Sequence, residues 1–169
     1  YERSRDWRRA VEVARVLDRA GGGSFASRIA HYECEIAEEA EAQGRTEDAE
    51  AALQRARKAA PSAPRPLALT GQRFLRQAQP ALALAAWDTL RERHPAAFLL
   101  VAGDYAAAAS AGGAVDAARA ALESTFAQLP ALELLQAMDR LDGEADGLPR
   151  LLAHLQHNPT LSAALLMLE

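Results

Sequence analysis

His31 and Cys34 stand three residues apart in a helix-forming stretch, a spacing that puts both side chains on one face of a helix. Such a pair can be half of a metal site or a thiol–imidazole couple for nucleophilic catalysis. Cys34 is the only cysteine of the 169 residues, so no second thiol completes a zinc centre. The other histidines, His94, His154 and His157, fall near the ends of other helical stretches. Glu33 and Glu35 flank Cys34, and their charge is expected to raise the thiol pKa and lower its reactivity. A lone helical cysteine of this kind reads as a small hydrophobe. Gly21-Gly22-Gly23-Ser24 lacks the Gly-Lys-Ser/Thr continuation of a phosphate loop and reads as a helix end. The acids between Ile36 and Glu41 spread around a helix without pairing as general acid and base. No catalytic residue, metal site or cofactor is expected within the chain, and it is not expected to be an enzyme.

Composition supports a folded, helical class. Half of the residues are hydrophobic and a quarter are charged, enough for a core and too apolar for wholesale disorder. Much of the apolar content is alanine, which favours helix and lets helices approach closely. The formal net charge is −4 and no long basic block occurs, which argues against a nucleic-acid surface. No apolar run is long enough to cross a bilayer and no signal peptide is expected in these residues, so direct membrane insertion by them is not expected. The chain starts and stops inside helix-like patterns and is expected to be part of a longer protein.

The elements that position these side chains recur. Pro61, Pro95 and Pro130 are spaced 34 and 35 residues apart, and 34 is the tetratricopeptide period. The unit ending at Pro95 has Leu67, Thr70, Gly71 and Phe74 on its first helix and Ala83 and Trp87 on its second. The unit ending at Pro61 has Ile36, Ala37 and Ala40, a turn at Gly44, then Ala49, Leu53 and Ala56. The unit ending at Pro130 has Tyr105, Ala106 and Ala109, a turn at Gly112-Gly113, then Ala118 and Leu122. Small residues are expected where paired helices cross, with large ones filling the space beside them. Thr46 before Glu47 and Asp48 reads as a helix cap. Trp7, Ala10, Ala14 and Leu17 read as one face of the second helix of an earlier unit, and Leu132–Leu141 with Leu148–Leu155 as a last pair closed by Pro159. The expected fold is therefore all-α, a tetratricopeptide-repeat superhelix of antiparallel helix pairs. It forms a single array over 1–169, with units near 1–23, 29–62, 63–96, 97–130 and 131–159 and a partial helix from Leu161. The competing pattern is an irregular helical bundle.

In such arrays the first helix of each unit lines a concave face that receives a peptide or a partner helix. The register puts His31, Cys34, Glu38 and Glu41 on that face, followed by Arg65, Gln72 and Arg76, then Leu100, Gly103, Ala107 and Ser110. Trp7, Phe74, Trp87 and Tyr105 occupy large-residue places and are expected in the core.

The run Ile29-Ala30-His31-Tyr32-Glu33-Cys34-Glu35-Ile36-Ala37 resembles a stretch typical of the lipopolysaccharide assembly protein B (LapB, or YciM) family. Tyr1, Asp6-Trp7, Ala10, Leu17, Arg65, Gly71, Ala83 with Trp87, and His157-Asn158-Pro159 extend the resemblance over nearly the whole chain, with a more diverged second half. The resemblance implies a Gram-negative inner-membrane protein with an N-terminal membrane helix, a cytoplasmic tetratricopeptide array and a C-terminal rubredoxin-like metal knuckle. It implies an adaptor that helps the FtsH protease degrade the LpxC deacetylase and so controls lipopolysaccharide synthesis. This chain would be the central array, on the cytoplasmic face of the inner membrane, with the family's metal site outside it. The floor around Ala68, Leu100, Gly103 and Ala107, read as small and uncharged, would receive the knuckle or a partner helix.

Two other function classes compete. A general co-chaperone array clamps a carboxylate with lysine and asparagine, and the expected groove has Arg65 and Arg76 but neither of those. A repeat region of an enzyme, such as a sugar transferase, finds no catalytic constellation here.

Overall fold

The computed structural model describes residues 1–21, 24–143 and 148–157. Among them all regular structure is helical and no strand occurs. The elements are α1 (Trp7–Arg19), α2 (Ala26–Ala42), α3 (Thr46–Ala59), α4 (Arg65–Arg76), α5 (Pro80–Arg93), α6 (Pro95–Phe98), a 3-10 turn (Leu99–Val101), α7 (Ala102–Gly112), α8 (Val115–Gln128), α9 (Leu132–Leu141) and α10 (Leu148–His157). They divide into two compact units, Tyr1–Gln77 and Ala78–Glu169. The boundary falls between α4 and α5, so the helix pair expected over 63–96 has one member in each unit.

In the first unit α2 packs on α1, α3 and α4, and α3 also packs on α4. The α2–α3 hairpin turns at Gly44, whose φ of +71° suits a residue without Cβ. Ala37, Ala40, Ala49, Ala52 and Ala56 are buried between these helices, with Ile36 and Leu53 beside them. Methyl-sized side chains there allow close helix approach, and the large ones fill the remaining space. Arg45, not Thr46, precedes α3, and the helix has no side-chain cap; Thr46 is its first residue. Arg45 pairs instead with Asp48 across the first turn. Only part of the face assigned to α1 is covered: Ala10, Val11 and Ala14 are buried, while Leu17 is 43% exposed.

In the second unit α7 packs on α5, α8 and α9, and α9 packs on α8 and α10. Trp87, Leu90, Phe98, Leu122 and Leu134 are fully buried among Ala83, Ala102, Ala106, Ala108, Ala109 and Ala118. Phe98 meets Tyr105 edge to face at 5.2 Å, a favoured aromatic geometry. The expected first helix of the 97–130 unit is not continuous. Pro95 ends α5 and opens α6, and the chain passes through the 3-10 turn before α7. Val101, with φ −119° and ψ 5°, is where the backbone leaves helical geometry. Gly113, at φ +68°, turns the chain into α8. Of the aromatics expected in the core, Trp87 and Tyr105 are buried and Trp7 and Phe74 are half-buried. Pro159 and the helix expected from Leu161 lie outside the described residues, as do Gly22 and Gly23.

Candidate functional site

The polar face of the first unit is built from α2 and α4. Residues 31, 35 and 38 recur at helical spacing along α2 and look outward. Arg65, the first residue of α4, reaches all three. Its Nη1 donates to His31 Nδ1 at 2.7 Å, and its Nη2 sits 2.7 Å from Glu35 Oε1 and pairs with Glu38. An Nδ1 that accepts from arginine leaves the ring proton on Nε2, which lies 3.9 Å from Glu35 Oε1. Trp7 fixes the neighbourhood, stacking on Tyr32 at 6.0 Å and meeting the His31 ring edge-on at 6.2 Å. Partial burial works against the Arg65 charge. The bond to Glu35 and the charges of Glu38 and Glu35 outweigh it and hold the Arg65 pKa above its ordinary value.

One turn further along, Glu38, Glu41, Ala42, Leu69, Gln72 and Arg76 line a cleft of about 350 Å³. Arg76 Nε lies 3.7 Å from Glu41 Oε2. Beneath it Arg73 is buried, its Nη2 donating to Glu50 at 3.0 Å. Arg73 Nε stands 3.1 Å from Glu41 Oε1, but the two are out of hydrogen-bond alignment. Thus His31, Glu38, Arg65, Gln72, Arg76 and Glu41 share one face of this unit.

Cys34 does not belong with them. Residues three apart on a helix differ by 60° around its axis, and this turns Cys34 under the face occupied by His31. It is fully buried, and burial pushes its thiol pKa up to about 12. Arg65 opposes that rise, and Glu38, Glu35 and Glu33 add to it, so the flanking carboxylates are secondary to desolvation. The thiol can neither touch a partner nor ionise near neutral pH.

Glu33, read from the sequence only as a neighbour of Cys34, is a buried junction. It is 2% exposed and accepts from Arg15 of α1 at 3.0 Å and Arg55 of α3 at 2.9 Å. Neither partner lies within a helical turn of it in sequence, so local spacing gives no signal of the triad.

In the second unit Leu100 is 87% exposed, and Ala107 and Ser110 are exposed on α7. Leu99, Leu100, Gly103, Asp104, Glu133, Gln136, Ala137 and Arg140 line a depression of about 200 Å³. The floor expected to be small and uncharged is therefore rimmed by charge. The Arg140 guanidinium lies over Gly103 so closely that a Cβ there would collide with it. The remaining histidines also lie in this unit. His94 follows the last residue of α5 as its C-cap, His154 meets the edge of Phe126 at 5.1 Å, and His157 Nδ1 is 2.8 Å from the Ala153 carbonyl oxygen.

Among the described residues no cluster of three or more His, Cys, Asp or Glu side chains could hold a metal, and no helix is long and apolar enough to cross a membrane. No protein-family model matches the chain, and no curated protein matches it.

Proposed function

We propose that the chain is a tetratricopeptide-like array that holds other proteins and carries out no reaction itself, and that it is the central array of a LapB-type adaptor. The helix order supports the repeat. Within each unit a first helix packs on the second helix of its own pair or the preceding one, and on the next first helix, as α2 does with α3, α1 and α4 and as α7 does with α8, α5 and α9. The small and large places of the 34-residue period, Ala37, Ala40, Ala49, Leu53 and Ala56 in one unit and Tyr105, Ala106, Ala109, Ala118 and Leu122 in the other, are buried.

The observation that carries the binding reading is the α2–α4 face, where ion pairs hold His31, Glu38, Arg65 and Arg76 in place before any partner arrives. Preorganised charged groups lower the ordering cost of association and set specificity. The resemblance of the Ile29–Ala37 run supplies the partners, the FtsH protease and the LpxC deacetylase, and the cytoplasmic face of the inner membrane as the place. It also supplies the family's metal knuckle as a domain of the longer protein. Full-length protein purified from its host with bound partners tests this. His31→Ala and Arg65→Glu are expected to lose FtsH or LpxC, while retention of both by both variants contradicts the assignment. Recovery of general chaperones instead would favour a co-chaperone scaffold.

A further inference from the structure

Arginine is unevenly distributed along the chain. The first 28 residues hold seven arginines, at 3, 5, 8, 9, 15, 19 and 28, against four acids, at 2, 6, 12 and 18. This segment is basic in a protein whose net charge is −4. It is also where the first unit leaves an apolar surface open. Val13, Val16 and Leu17 of α1 are 41%, 62% and 43% exposed. They form a second apolar stripe beside the Ala10–Val11–Ala14 stripe that packs inward.

Between α1 and the start of α2 this surface is concave. Tyr1, Glu2, Arg3, Ala10, Val13, Ala14, Leu17, Phe25, Arg28 and Tyr32 line a groove of about 390 Å³. The acids nearby are already engaged. Glu2 accepts from the Tyr32 hydroxyl, Asp18 accepts from the Phe25 amide at 2.9 Å, and Asp6 caps α1 by accepting from the Arg9 amide. The arginines are not. Among the described residues Arg3, Arg9 and Arg28 have no carboxylate partner, and Arg28 and Arg9 lie over the rings of Phe25 and Tyr1. Here an apolar floor is bordered by two cations without a salt-bridge partner, Arg3 and Arg28, and by one carboxylate, Glu2, that is turned to the Tyr32 hydroxyl.

We infer that the α1–α2 groove docks an acidic amphipathic segment of another protein, its apolar side chains on Val13, Leu17 and Phe25 and its carboxylates on Arg3 and Arg28. Complementary charge selects the occupant. A neutral helix would leave both guanidiniums unanswered, and a basic one would meet like charge. An anionic lipid surface shares the charge preference, but a concave floor accepts protruding side chains better than a planar headgroup layer. The groove lies on the α1 side of α2, and its lining residues are not those of the α2–α4 face.

The probe is a fluorescein-labelled 16-residue helical peptide with leucines at i, i+3, i+4 and i+7 and glutamates flanking them, titrated against the whole 169-residue chain by anisotropy. Arg3→Glu with Arg28→Glu is expected to weaken binding at least tenfold, and Leu17→Gln to weaken it similarly. Arg57→Glu, on the exposed face of α3, is expected to leave it unchanged. All the altered side chains lie at the surface, and circular dichroism verifies that each variant folds. A lysine-for-glutamate version of the peptide is expected to bind at least tenfold more weakly. Equal binding of both peptides, insensitivity to the charge reversals, or binding of phosphatidylglycerol vesicles without binding of the peptide would each overturn the inference.

Discussion

In the first unit three helices meet at a carboxylate: Glu33 on α2 accepts from Arg15 of α1 and Arg55 of α3. In the second, the corresponding work falls to shape, with Trp87, Leu90, Phe98 and Leu122 set among alanines. The second unit also has carboxylates between helices: Asp139 of α9 pairs with Arg150 of α10 at 3.0 Å, and Asp142 at the end of α9 takes Arg119 of α8 as well as Arg150. Asp142 is partly exposed, however, whereas the three-helix junction of the first unit is built on a buried carboxylate. The helices of one region are thus joined through a buried charge, and those of the other mainly by close packing around Trp87 and its neighbours. The charged solution also leaves a polar outer face, since Arg65, Glu35 and Glu38 organise one another at the surface.

The contrast can be broken by substitutions of opposite kind. Trp87→Ala removes the largest fully buried side chain of the second unit and is expected to cost about 3–5 kcal/mol, read as the fall in chemical-denaturation free energy. A loss below 1 kcal/mol would mean that this core tolerates a void and is not held by shape. Glu33→Gln keeps the volume and removes the charge. Arg15 and Arg55 are each nearly half exposed and can turn to water, so the expected cost is smaller, about 1–3 kcal/mol. An unchanged unfolding midpoint would show that the carboxylate is dispensable.

Alkaline titration sharpens the comparison further. The Cys34 thiol has its pKa raised by burial to about 12, and Tyr105 is raised as well, by burial first and then by Asp88. A group with a raised folded pKa contributes its full stability below its unfolded value and loses it as pH climbs toward the folded one. Stability is therefore expected to hold to about pH 9 and then fall, Cys34 alone contributing on the order of 1 kcal/mol of loss by pH 10. Thermal melts of the parent and Cys34→Ala from pH 8 to 11 check this: the variant should show the shallower decline. Equal slopes would place the thiol in water. The smallest effect is expected at Arg65→Ala. It breaks a surface network and should cost less than about 1 kcal/mol while weakening partner binding, and an unfolding effect above 2 kcal/mol would reassign Arg65 to the scaffold.

The helices, their small buried positions and their turns were legible because they rest on volume and backbone freedom, which single residues carry. Ala49, Ala56 and Ala118 are small wherever they sit, and Gly44 and Gly113 adopt positive φ where a turn was expected. Arg65, His31 and Glu38 were legible as one face for the same reason, a fixed angle per residue. Features that join distant residues were not. The triad at Glu33 spans three helices, and the Arg140 cover over Gly103 comes from a helix two elements later. The break at Leu99–Val101 was also hidden, since Leu-Leu-Val has no breaker and the interruption follows from Pro95 opening a short helix directly after α5. Cys34 was misassigned because a shared face is a broad notion: 60° around α2 separates a solvent-facing imidazole from a buried thiol.

The central claim is that partners engage the first helices of the pairs. Photo-crosslinking in the native host tests it most directly, with a benzophenone amino acid placed at positions 31, 65 or 107 of first helices and at exposed positions 47, 82 or 123 of second helices. The account predicts a shared crosslinked partner from the first set and none from the second. Crosslinks arising equally or only from 47, 82 and 123 would contradict it.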